Sequence, residues 1–148
     1  MVSISEVFSK KWFRIDVLAI LGFLVLEFIL GMTLNLFVAF PNIPVGSSDQ
    51  TYFNAIFANP FLLCHFIVGV GLLLGSIWLL ISAIKIRKGL ALVASLGFIS
   101  VLTAYVSGFE FLLSGFQNDY FSFTMSLGFI AALLAYFWLY WLSGKISE

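Results

Sequence analysis

The sequence predicts an all-α fold: an antiparallel up-down four-helix transmembrane bundle, with residues 1–148 forming a single integral membrane domain. Three observations predict it. First, 62% of the 148 residues are hydrophobic and only 9% are charged, whereas a soluble domain is about 25% charged and about half apolar. So much apolar surface cannot be hidden in one core of this size and must face lipid. Second, the apolar residues fall in four continuous runs, at about 13–37, 60–84, 90–111 and 120–142. Each approximates the roughly twenty residues that cross a hydrocarbon core. Continuous runs exclude a strand barrel, and helices satisfy their own backbone groups in lipid. Third, every Lys and Arg lies at one set of span ends. Lys10, Lys11 and Arg14 border the first run; Lys85, Arg87 and Lys88 separate the second from the third; Lys145 follows the fourth. The positive-inside rule makes that side cytoplasmic, so the expectation is a multi-pass protein of the cell membrane with both termini cytoplasmic.

Span one follows a short start in which Ser3, Ser5, Glu6, Val7 and Phe8 suggest an amphipathic turn. Its apolar region is too long for a cleaved signal peptide, and no small-x-small site precedes Pro41, so it reads as a retained helix. Glu27, Gly31 and Asn35 recur every four residues and give it one small, polar face suited to a partner helix. The outer loop 41–59 carries turn signals at Pro41, Pro44 and Gly46. Tyr52, Phe53, Ile56 and Phe57 then follow at helical spacing, predicting one or two surface turns. Asn59-Pro60 is a helix start, with Asn as N-cap and Pro at the first helical position. Span two puts His65, Gly69, Leu72, Ser76 and Ala83 on one stripe. Gly71 and Gly75 form a GxxxG pair on the next stripe, suited to internal packing, a homodimer or a larger membrane complex. The short turn 85–89 makes spans two and three antiparallel neighbours. Span three aligns Ser100, Thr103, Ser107, Glu110 and Ser114, a stripe expected to point inward. Asn118 or Asp119 can cap span four, whose Met125, Phe129, Ala132, Tyr136 and Ser143 share one side. Trp12, Trp78, Trp138 and Trp141 fall near the basic boundary, as interfacial tryptophans do.

An internal two-hairpin repeat is suggested by two likenesses. Glu27-Phe28-Ile29-Leu30-Gly31 resembles Glu110-Phe111-Leu112-Leu113, followed by Ser114-Gly115, and His65 and Met125 each stand thirteen residues before a tryptophan. A two-fold arrangement would face His65 with Met125 and Glu27 with Glu110. Counted at about 1.5 Å per residue from the outer span ends, His65 lies roughly 8 Å deep and Glu27 about 15 Å.

Ionisable side chains inside a span are costly and mark function by default. The expected ligand-binding set is therefore His65, Glu110, Glu27, Met125 and Asn35, gathered in the outer half of the bundle. As neutral acids, Glu27 and Glu110 would hydrogen-bond neighbouring helices. His65 has three readings: a structural partner of Glu27 or Glu110, an axial ligand of haem b with Met125, Met32 or a second subunit supplying the second iron ligand, or a contact to a quinone or other small molecule. A His/Met pair does ligate haem iron, and Gly69 would leave room for a macrocycle. Composition narrows the rest. Net charge zero argues against nucleic acid as a partner, and Cys64 alone can form no internal disulfide. The absence of GxGxxG, P-loop, HExxH and GxSxG patterns leaves most enzyme classes without a foothold.

The strings Gly31-Met32-x-x-Asn35-Leu36-Phe37-Val38-x-x-Pro41, Leu63-x-His65-x-x-x-Gly69 and Ser126-x-x-Phe129 resemble a group of uncharacterised prokaryotic four-span membrane proteins. That resemblance implies a four-helix bundle and brings no activity. The His-x-x-x-Gly piece also resembles the haem-bearing helices of cytochrome b-like proteins, which implies an electron-transfer or accessory redox subunit. The expectations are thus a small hydrophobic or flat ligand bound in the outer half, such a redox subunit, or a structural subunit of a membrane complex.

Overall fold

The computed structural model describes residues 4–145, with side chains from residue 11 onward. The amphipathic start expected around residues 3–8 lies outside the described side chains. Among the described residues there are five helices and no strand: α1 (Ile4–Phe37), α2 (Asp49–Ala58), α3 (Pro60–Ile86), α4 (Lys88–Leu113) and α5 (Asp119–Gly144). All but α2 are long and apolar enough to cross a membrane. They pack as a ring in which α1 adjoins α3, α3 adjoins α4, α4 adjoins α5, and α5 returns to α1. One end of the ring holds the basic residues; the other holds the long loop and α2.

The helix ends follow from local chemistry. Asn59 accepts hydrogen bonds from the backbone N–H groups of Phe61 (3.0 Å) and Leu62 (3.2 Å), with Pro60 at the first helical position. Asn118 accepts from Tyr120 N–H at 3.1 Å. Only extended Arg87 separates α3 from α4, which forces an antiparallel pair. At the end of α4, Gly115 takes φ +68°. Phe116 N–H then reaches Phe111 O at 3.1 Å and Gly115 N–H reaches Leu112 O at 2.9 Å, the paired bonds of a Schellman cap. The hydrophobic contact that accompanies such a cap is Phe111 on Phe116, with ring centroids 5.7 Å apart.

The interior has two parts. The larger cluster fills the basic half with residues such as Val17, Leu79, Leu90, Tyr136 and Leu139. Tyr136 occupies its centre, beside Ser76 of the diagonal helix α3. Gly97 makes that possible, because a Cβ there would come within 2.7 Å of the ring. Gly128 lets α5 lie directly on the α4 backbone, 2.9 Å from where its own Cβ would be. The smaller cluster closes the loop end with Leu34, Ile43, Tyr52, Ile56, Leu62 and Leu112. Tyr52 ties it together by donating to Leu113 O at 3.2 Å and Pro44 O at 3.4 Å.

The expected inward polar stripe of α4 is corrected. Ser107 is buried, but Thr103 and Glu110 are exposed. The hydroxyls avoid stranding in lipid by bonding their own helix. Ser100 donates to Leu96 O at 2.8 Å and Thr103 to Ile99 O at 2.9 Å, the back-bonding that Ser and Thr make within helices.

Candidate functional site

The site grows from two sequence-adjacent patterns on antiparallel helices. On α1, Glu27 precedes Gly31 by four residues; on α3, His65 precedes Gly69 by four. One turn apart, the two members of each pattern lie on the same face. His65 Nδ1 approaches Glu27 Oε1 at 3.1 Å. The glycines are reciprocal clearances: a Cβ on Gly31 would lie 3.4 Å from His65 Cε1, and one on Gly69 would lie 3.2 Å from Glu27 Oε1. Each helix thus withholds a side chain where the other inserts an ionisable one. The pair is largely enclosed, with side-chain exposures of 20% for His65 and 14% for Glu27. The Nδ1 contact is an ion-pair approach without hydrogen-bond alignment, and Glu27 Oε2 is buried with no partner.

The pair lines a cavity of about 320 Å³ in the loop half, walled by all four spanning helices, which falls in the range of small-molecule sites. Its floor includes Leu24, Leu72, Val101 and Ala132; its far wall includes Ala104, Tyr105, Gly108 and Met125. The roof is aromatic. Phe40 stacks on Phe116 at 4.8 Å and meets Phe111 edge-on at 5.8 Å, and all three line the space. Phe28 of α1 stacks on Phe129 of α5 at 5.5 Å.

Of the residues singled out in the sequence, His65, Glu27, Met125 and Asn35 line this cavity. Glu110 does not. It is exposed on α4, because Gly108 and Leu112 face the cavity and Glu110 sits two residues from each, about 200° around the helix. The facing of Glu27 with Glu110 therefore does not form. The depth count also needs correcting. Glu27 and His65 touch, so α1 rises past the start of α3 by about five residues, or roughly 8 Å. The GxxxG pair divides: Gly75 is filled by Ile20, whose Cδ1 would be 2.6 Å from a Cβ, while Gly71 faces open space. Sequence reasoning missed the aromatic roof and Tyr105. The roof's signal was Gly115, whose turn geometry brings Phe111 and Phe116 together.

The fit to haem is poor. His65 offers one ring nitrogen, but the Met125 sulfur is packed against α4, 3.1 Å from where a Gly108 Cβ would lie. Haem propionates want cations, and every Lys and Arg is at the other end. Arg14 is engaged there over the Tyr140 ring at 4.8 Å, about 20 Å along α1 from Glu27. Among the described residues no cluster of three His, Cys, Asp or Glu side chains could hold a metal. Comparison with protein families, curated proteins and solved structures returns no match.

Proposed function

We propose that this integral membrane protein is a non-enzymatic binding protein that holds a small hydrophobic or flat ligand between its helices. In this reading it sits in the cell membrane with both termini cytoplasmic, and the cavity opens in the extracytoplasmic half. The one-sided distribution of all seven basic residues supports the orientation. The observation that carries the binding reading is the Glu27–His65 pair set in the wall of a largely apolar cavity. Two costly side chains, cleared by two glycines, are more than packing requires. Leu at both positions would fill the same space without burying charge.

The test uses anthracene, a flat probe with no hydrogen-bonding group, on protein in lipid nanodiscs. Binding to the folded state raises the unfolding temperature, by an amount that grows with the logarithm of free ligand over Kd. Anthracene is expected to stabilise the wild type and not Ala104→Phe, in which the cavity wall is filled. Equal shifts in both proteins would mean that the probe acts through the lipid, and the proposal would fail.

A further inference from the structure

We infer that the ligand of this cavity is a flat ring bearing a carbonyl oxygen, a quinone in chemical class. Its oxygen accepts a hydrogen bond from His65 Nε2, and it arrives sideways from the bilayer through a gap between α1 and α5. The inference rests on the binding proposal above and adds the ligand's chemistry and its route.

The chemistry follows from charge neutrality. Glu27 and His65 meet in an apolar region with no cation nearby, where a net charge is expensive. Two proton arrangements leave the pair neutral overall and strand no hydrogen. In one, Glu27 is a carboxylate and His65 is an imidazolium. In the other, Glu27 is a neutral acid donating to Nδ1 of a neutral imidazole. Both arrangements place a hydrogen on Nε2. Two arrangements leave Nε2 bare: a carboxylate beside an imidazole, which carries an uncompensated negative charge, and a neutral acid whose Oε1 accepts from Nδ1–H, which strands the acid's own hydrogen on Oε2, buried with no partner among the described residues. So Nε2 is held as a donor whichever partner keeps the shared proton. It makes no hydrogen bond among the described residues, whereas Nδ1 is turned to Glu27 Oε1 at 3.1 Å. The group that completes the site is an acceptor on an apolar frame, and a ring carbonyl is that group.

The route follows from which helix is missing from the loop-end core. That core draws on α1, the loop, α2, α3 and α4, and on no residue of α5. Burial on α5 starts only at Gly128, two turns in from its loop end. A residue that lines the cavity and is also exposed outside marks an opening. Phe28, Met32 and Asn35 on α1, Ser126 and Ile130 on α5 and Phe109 on α4 have both properties, so the exposed lining concentrates on α1 and α5. The aromatic roof closes the loop end, Met125 against Gly108 closes the α4–α5 side, and the Phe28–Phe129 stack bridges the seam at the opening. The opening is therefore lateral, between helices that face lipid. A cavity of about 320 Å³ holds a ring system and leaves an attached isoprenoid tail in the bilayer.

The test compares 9,10-anthraquinone with anthracene, the same ring frame with and without carbonyls, by thermal shift in nanodiscs. In the wild type the quinone is expected to bind about tenfold more tightly, the value of one hydrogen bond to a polarised donor. The ratio should fall to near one in Glu27→Met/His65→Leu, a double variant that removes the pair without stranding either member. A wild-type ratio near one, with both probes binding, overturns the carbonyl inference and leaves the binding proposal standing. Failure of both probes ends both. The route is tested with Ser126→Trp at the opening. Ubiquinone with its isoprenoid tail should lose at least tenfold in apparent affinity, while tailless anthraquinone still binds. Unchanged ubiquinone binding in that variant would overturn the lateral route.

Discussion

Glu27→Met and His65→Leu, made singly and together, test whether the pair is one unit. At 3.1 Å and an effective dielectric of 20, the gross attraction of full opposite charges is about 5 kcal/mol. Little of it survives as net stability, because both groups were taken out of a better solvent. Removing one partner leaves the other enclosed beside a clearance glycine, with the neighbouring helix offering no replacement. It then either stays charged, at a cost of about 3 kcal/mol on insertion scales, or sheds its charge at lower cost. Each single variant is therefore expected to lose about 2 kcal/mol. The double variant leaves nothing stranded and replaces an ion pair with two apolar side chains, so its loss should be only about 1 kcal/mol. The shortfall from additivity, about 3 kcal/mol, lies at the upper end for coupled contacts. Reversible unfolding of the purified protein in mixed micelles measures all four corners of the cycle. Costs that add to within about 0.5 kcal/mol would refute the reasoning, since they would show two independent side chains that happen to be close.

Further outcomes are expected. Gly115→Ala should cost about 3 kcal/mol in the same unfolding assay, because the position needs φ +68° and a Cβ would run into the Ile43 carbonyl. Gly46→Ala, at φ +83° in open space, should cost only about 1 kcal/mol. Gly97→Ala should cost about 2 kcal/mol by pushing on the Tyr136 ring, whereas Gly22→Ala, with nothing within 4 Å, should gain about 0.5 kcal/mol. With Cys64→Ser as background, Val45→Cys should react with a membrane-impermeant maleimide added to intact cells and Lys88→Cys should not. The reverse pattern would invert the assigned orientation.

Much of this was legible because lipid simplifies the physics. A backbone in hydrocarbon must be helical, so hydropathy alone brings the limits of the last three spans to within about two residues, as 60–84 against Pro60–Ile86 shows, whereas α1 begins at Ile4, well before the expected start near 13. Asn59-Pro60 announced its cap because both residues act locally. Glu27 and His65 were visible as candidates because charge in a span always needs a reason. Their meeting was not visible, because depth was counted from each helix's own end and those ends are not level. Glu110 misled for a different reason. Its neighbours in the stripe are Ser and Thr, which satisfy themselves on their own helix and so need no interior. A polar stripe on a membrane helix is evidence of burial only when its members cannot bond backward.

The glycines also revise the repeat. Likeness of sequence aligns Glu27 with Glu110, but contact geometry aligns Gly31 with Gly108. Gly31 clears space for His65 of the adjacent helix; Gly108 clears space for Met125 of its own adjacent helix. Four residues before Gly108 stands Ala104, the counterpart of Glu27, and it too lines the cavity. The two hairpins then supply the same scaffold with different chemistry, a polar wall facing a soft one. If so, the second hairpin should accept the first one's pair. Ala104→Glu alone strands an acid in an apolar wall and is expected to cost about 3 kcal/mol. Adding Met125→His supplies the missing imidazole at the equivalent station and should restore about 2 kcal/mol, whereas Leu133→His, on α5 away from that station, should restore nothing. Equal rescue by the two histidines, or rescue by neither, would make the matching glycines a coincidence of packing and leave Glu27–His65 as a feature of one hairpin alone.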